Sequence, residues 1–383
     1  MSASATSIEP QGRLRRLLDF LSHDPQNTQL LGDAASAAFD EGDLDQATAL
    51  LDRLSAITPL PPQQLGLWGL VELKARRFPS AAEAFNALHA LYPDDASIRF
   101  NLAWARSGLH DHQGVCDLLD EATLAAIPPA AALKIQAMHH LGQLDEALAL
   151  GQGLAEHRSD DQGLMSALAL VASDGDDIAL ARRYAELASD HPDGASTLGL
   201  LLLNDDQVDG SLPHFDRALA LRADNPRAIL GKGLALLLKG QAGAAAEHLD
   251  LVAEIFGTHL GSWVSAGWAH FVKGDSAAAR VRFETALRLD DTFAESHGAL
   301  AVLDVAEGQL DSAKRRAAVA LRLDPQCLAA ALAKSLLLIS GGHLRSAQKV
   351  RDTALNLPIG ADGRTIAQAM AAYGLSPDKT PPS

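Results

Sequence analysis

The sequence predicts an all-α fold of the solenoid type, built from stacked helix pairs, and three observations carry that expectation. Four glycines, Gly240, Gly274, Gly308 and Gly342, stand 34 residues apart. Five residues after each comes an alanine: Ala245, Ala279, Ala313 and Ala347. The composition, 48% hydrophobic but only 4% aromatic, suits helices packed through small side chains. A fixed period of this size marks supersecondary units that bury their apolar faces against neighbours, not a domain with one closed core.

The clearest unit lies within residues 229–354. A first helix is expected over about 260–272, stopped by Gly274, because glycine takes the left-handed conformation that helix ends need. Ser276 is expected to cap a second helix that carries Ala279, Phe283, Ala286 and Leu287 on one face. Gly267 and Ala279 have almost no side chain, so the two backbones can approach closely while Trp263 and Phe283 fill the space beside them.

At these residues the chain resembles the tetratricopeptide repeat family. The unit has an aromatic residue at position 4 (Trp263), small residues at 8, 20 and 27 (Gly267, Ala279, Ala286) and an aromatic at 24 (Phe283), and the next unit has Pro325 at position 32. The resemblance implies a right-handed superhelix of about ten repeats, with a concave face that usually holds a peptide or a partner's helix.

Taken in order, residues 1–10 are polar and expected to be disordered. Leu14, Leu17, Leu18 and Leu21 form a helical stripe over 11–24, read as the second half of a truncated repeat. Ten repeats then fill 27–360. The first carries Leu31, Gly42, Ala47, Leu51 and Leu54; the second Trp68, Gly69, Phe85 and Pro93. The third is degenerate, with Val115 where alanine is expected and Gly114 inside its second helix. The spacing from Ala81 to Ala147 falls two residues short of two periods. From Ala181 to Ser211 it falls four short, about one helical turn. The first helix near 195–204 is expected to lose that turn, making 204–212 an irregular and mobile joint, with Pro213 in a first turn. Asp362 is expected to start a capping helix over 361–374 that ends at Gly374, and 375–383 to be disordered.

Charge narrows the function. With 32 basic and 48 acidic side chains the net charge is −16, which opposes nucleic acid and anionic membrane alike. No apolar run reaches the roughly 18 residues of a membrane span, and the N-terminus lacks the pattern of a signal peptide. Cys116 and Cys327 lie too far apart to pair, which fits a reducing cytoplasm.

Motifs for chemistry are weak. Ser346 and Lys349 match S-x-x-K without partners. His110 with His112, and His139 with His140, lack further residues at metal-ligand spacing. The stretch 174–177 resembles a calcium loop but lacks its closing glutamate, so a helix-capping turn explains it better. No catalytic role, metal or cofactor is expected.

The stronger candidate is a surface. Family positions 5, 9 and 12 face the concave groove, and in repeats six to ten they fall on Leu200, Leu203, Leu230, Leu234, Leu237, Val264, Trp268, Phe271, Val302, Val305, Leu332, Leu336 and Ile339. Soluble monomers seldom leave so large an apolar patch bare. It is either a groove for an amphipathic helix or extended apolar segment, or first helices covering one another. A clamp for a C-terminal carboxylate is rejected. Asn101 occupies its register, but Gly66, Leu70, Pro129 and Leu133 stand where polar partners belong. The expected protein is a non-enzymatic scaffold or chaperone-like adaptor for a protein or peptide partner. The alternatives are a homo-oligomeric structural protein and a regulatory subunit of a separate enzyme.

Overall fold

The computed structural model describes residues 11–356. The expected tails at 1–10 and 375–383 and the capping helix at 361–374 lie outside them. The described residues form 22 helices and no strand, and the fold is an all-α solenoid of helix pairs. A single helix α1 (Gln11–His23) precedes the pairs. They are α2 (Thr28–Asp40) with α3 (Leu44–Ser55), α4 (Pro62–Lys74) with α5 (Phe78–Leu91), and α6 (Ala96–Gly108) with α7 (His112–Leu118) and α8 (Glu121–Ala126). Next come α9 (Pro129–His140) with α10 (Leu144–Ala155), α11 (Gln162–Asp174) with α12 (Ile178–Leu187), and α13 (Pro192–Asn204) with α14 (Val208–Leu221). The last four are α15 (Pro226–Leu238) with α16 (Ala242–Phe256), α17 (Leu260–Lys273) with α18 (Ser276–Leu289), α19 (Ala294–Ala306) with α20 (Leu310–Leu323), and α21 (Leu328–Ser340) with α22 (Leu344–Leu355). The chain divides into two compact bodies, Met1–Val171 and Ala172–Ser383. No helix among the described residues is long and apolar enough to cross a membrane.

The repeat register is written into the backbone. A left-handed residue closes the first helix of every pair: Gly42, Arg76, His110, Gly142, Asp176, Asp206, Gly240, Gly274, Gly308 and Gly342. These ten are 34 apart, except for 32 from His110 to Gly142 and 30 from Asp176 to Asp206. Gly274, at φ 89°, ends α17 as its sequence position demands. The cap of α18 is Asp275, not Ser276; its carboxylate accepts from the Ala278 amide at 3.0 Å.

Small residues set the spacing within the pairs. A Cβ added at Gly267 would lie 2.4 Å from the Phe283 ring, one at Gly69 2.7 Å from the Phe85 ring, and one at Gly199 2.7 Å from the Phe215 ring. Each ring is fully buried or nearly so and fills the notch that its glycine leaves.

The two short spacings have different causes. In the third repeat the second helix breaks into α7 and α8 at Leu119 and Asp120. The four-residue loss is taken from α12, which has ten residues where the other unbroken second helices have 12 to 15. The first helix α13 keeps its full 13, so the missing turn expected there is corrected. The shortened α12 is joined to α13 by residues 188–191. A Cβ at Gly194 would sit 2.2 Å from the carbonyl of Ala188, so only glycine permits this junction. Pro213 lies inside α14 rather than in its first turn, and α13 and α14 are directly packed.

Buried ion pairs stitch successive helices of the C-terminal body. Asp304 on α19 is fully buried. Arg280 of α18 donates to it at 2.7 Å, Ser312 of α20 donates at 2.6 Å and Arg316 of α20 stands 3.1 Å away. A carboxylate out of reach of water needs such partners. Asp250 of α16 accepts from Arg282 and from His270 at 2.8 and 2.9 Å. Burial pushes this carboxyl up, but those hydrogen bonds outweigh it and hold it below the ordinary range.

Candidate functional site

Positions 5, 9 and 12 of the first helices, where the family's groove lining is expected, are filled differently in the two bodies. In the first three repeats of the N-terminal body they are Gly32, Ser36 and Phe39 on α2, Gly66, Leu70 and Leu73 on α4, and Phe100, Trp104 and Ser107 on α6. With no side chain at 66, a cleft of about 640 Å³ opens between α2, α4, α5 and the start of α6. A Cβ placed at Gly66 would meet only Leu88, at an ordinary 3.6 Å. The floor is apolar: half-buried Leu67, Leu70 and Ile98, backed by buried Phe85 and Leu88. The rim is polar, with Ser36, Asp40, Gln63, Gln64, Asp95, Ser97 and Asn101, and aromatic rings of Phe39 and Tyr92 at its sides. The Lys74 ammonium lies 4.1 Å over the Phe39 ring beside the cleft. Asp95 is held in place because its carboxylate caps α6, accepting from the Ser97 and Ile98 amides at 2.9 and 3.1 Å. On the adjoining face of α6, Phe100 and Trp104 pair at 6.1 Å, and Trp104 is half exposed. Sequence reasoning missed this site because an apolar patch was sought, whereas the signal was an absent side chain at position 5.

In the C-terminal body the thirteen expected residues separate into three groups. Val264 and Val302 are core, at 8% and 2% exposure, and offer almost no surface to a guest, so their assignment as lining is corrected. Neighbouring first helices pack directly here and cover them. Leu200 and Leu203 rest on the cluster around Phe215; Leu230, Leu234 and Leu237 rest on that around Leu249. Trp268 and Phe271 meet edge to face, and Trp268 also abuts Phe283 and the cluster containing Cys327. Leu336 packs against Val302 and Ala333, and Val305 is half-buried. Only Leu332 and Ile339 are open, at 47% and 49%. A second cleft of about 500 Å³, between α20 and α21, is bordered by Lys314, Lys334, Leu321 and Leu338 and includes none of the thirteen.

The histidines noted for chemistry, His110, His112, His139 and His140, gather in one patch, with His112 and His140 stacked at 4.4 Å. Burial and then the neighbouring imidazoles hold His140 below the ordinary histidine value. Among the described residues no group of three or more His, Cys, Asp or Glu is placed to hold a metal. Asp177 caps α12 and Asp176 is the left-handed turn residue before it. Burial pushes the Cys327 thiol up to about 12, which makes it an inert core residue.

Comparison with known proteins points to the same repeat family. The tetratricopeptide repeat family matches residues 67–106 and 196–258. No curated protein matches. Among solved structures, the human IFIT1 dimer with m7Gppp-AAAA is 13% identical over 92% of this chain and 96% of that one, with a TM-score of 0.50. A monomeric IFIT1 mutant with Gppp-AAAA is 13% identical over 90% and 94%, with a TM-score of 0.51. MamA from Desulfovibrio magneticus RS-1 is 19% identical over 43% of this chain and 95% of that one, with a TM-score of 0.39. At these identities the IFIT1 likeness is one of fold. The matched residues, the 34-residue register of left-handed turns and the glycine-to-ring notches together are those of an array of tetratricopeptide repeats.

Proposed function

We propose that the protein is a non-catalytic scaffold that holds a segment of a partner protein in the cleft between α2, α4 and α6. A tetratricopeptide-repeat fold supports protein interaction in general. The observation that carries the finer reading is the absence of a side chain at Gly66, which leaves an apolar floor accessible between polar walls. Such a floor with a few polar groups at its edge is what a peptide anchor requires. The two IFIT1 structures contain m7Gppp-AAAA and Gppp-AAAA, but a net charge of −16 disfavours phosphate backbones on this chain. A photo-crosslinking residue in place of the exposed Gln63 tests the reading. Adducts to a partner protein from position 63, and none from a control at Lys314, support it; the reverse pattern removes it.

A second contact is favoured by Leu332 and Ile339, the two open members of the C-terminal lining. Both stand on α21, which a partner would touch along its exposed side. A crosslinker at Leu332 that yields the same adduct as position 63 would extend the binding surface. No adduct at 332 would restrict it to the N-terminal body.

A further inference from the structure

If the N-terminal cleft is the binding site, as proposed above, its surroundings also fix the charge of its guest. The body Met1–Val171 contains 11 lysines and arginines against 22 aspartates and glutamates, a net −11, whereas the remainder of the chain is nearly balanced at 21 against 26. The acidity is local to the body that holds the cleft. At the rim, Asp40 and Asp95 are exposed and no cationic side chain lies among the lining residues. Asp95 is fixed by its capping bonds, so its charge stays at the cleft mouth without the entropic cost of ordering a mobile side chain. The flanking aromatic rings add to the preference. Phe39 already accepts a cation on one face, from Lys74 at 4.1 Å, and Tyr92 stands half exposed at the other end. The floor between them is apolar.

We infer that the cleft selects a segment of a partner protein in which lysine or arginine flanks a bulky apolar side chain. The apolar residue seats above Gly66 against Leu88 and Leu70, and the cations reach Asp40, Asp95 and the ring of Tyr92. A second copy of this chain is a poor occupant, because it would bring another acidic surface to an acidic rim.

Fluorescence anisotropy of the full chain with three labelled twelve-residue peptides tests the inference. One alternates lysine with leucine, one serine with leucine and one glutamate with leucine. The lysine peptide is expected to bind, the serine peptide at least fivefold more weakly and the glutamate peptide not at all, by the usual reach of rim charges. Raising the salt to about 0.5 M should bring the lysine peptide close to the serine one. Asp40→Lys, at an exposed site, should weaken the lysine peptide about fivefold and spare the serine peptide. Gly66→Leu, checked for folding by circular dichroism, should abolish binding of both. Equal binding of the lysine and serine peptides, with loss of both in Gly66→Leu, overturns the charge preference and leaves the cleft as the site. Lysine-peptide binding that survives Gly66→Leu means diffuse attraction to an acidic surface, and overturns both readings. No binding of the lysine peptide overturns the inference outright, as does displacement of the peptide by self-association in sedimentation velocity.

Discussion

Gly66 and Gly298 occupy the same register, position 5 of a first helix, and do opposite things. At Gly298 a Cβ would lie 2.7 Å from the Ala330 amide nitrogen and 2.8 Å from the Ala329 methyl. There the missing side chain admits the next first helix, α21, and closes the groove. At Gly66 a Cβ would meet a single leucine methyl at 3.6 Å, and the missing side chain opens the groove. Position 9 shows the same contrast. Trp268 is drawn into three clusters of the C-terminal body, while Trp104 in the N-terminal body stays 48% exposed. A small residue in a helical array therefore has no fixed meaning: it is a notch for whatever stands opposite, and can equally be left empty.

The comparison is broken most sharply at Trp268. Trp268→Ala should cost about 3 kcal/mol in chemical denaturation, because a large ring is removed from between packed clusters. Trp104→Ala should change stability by less than about 1 kcal/mol, as exposed substitutions do. Equal effects would mean that both tryptophans line open surface.

Next in size is the glycine pair. Gly298→Ala should destabilise by about 1–3 kcal/mol, since the new methyl meets backbone that cannot move aside. Gly66→Ala should stabilise by about 0.5–1 kcal/mol through helix propensity, having room for its methyl. Loss of stability in both would show that the N-terminal cleft closes in solution.

The turns allow a smaller contrast. Arg76 is left-handed at φ 58° where Gly240 is left-handed at φ 74°. Arg76→Gly should raise the melting temperature by a few degrees and Gly240→Ala should lower it, each through about 1 kcal/mol of left-handed strain.

The smallest expected effect is a pH slope from the N-terminal body. The His140 value lies below its unfolded one, so the unfolded chain binds the proton more readily. The stabilisation is complete above the unfolded value near pH 6.5 and is lost as pH falls towards the folded value. His140→Gln should flatten the stability profile below about pH 6.5. A second acid step belongs to Asp120, held at about 2 by its bonds to Thr123 and then Arg99. Its contribution is complete above about pH 4 and disappears as pH approaches about 2.

The array and its register were legible in the chain because they depend on local chemistry at fixed intervals. The glycine or polar residue that turns each pair and the alanine that lets helices touch recur whatever lies beyond them. Even the shortened spacings were visible, as arithmetic. Which helix lost the turn was not, because α12 and α13 could each have given it up; the contact of Gly194 with Ala188 decides it, and that is a matter of three dimensions. Two of the expected groove residues, Val264 and Val302, were placed in the lining for the same reason. Val264 and Val302 have the residue type and position of a lining, but burial depends on how closely the adjacent first helix approaches, and that distance is set by its own small residues. Periodicity thus determined which side chains face the same way, while the separation of neighbouring helices, a property of tertiary packing, determined whether that face is core or an open site.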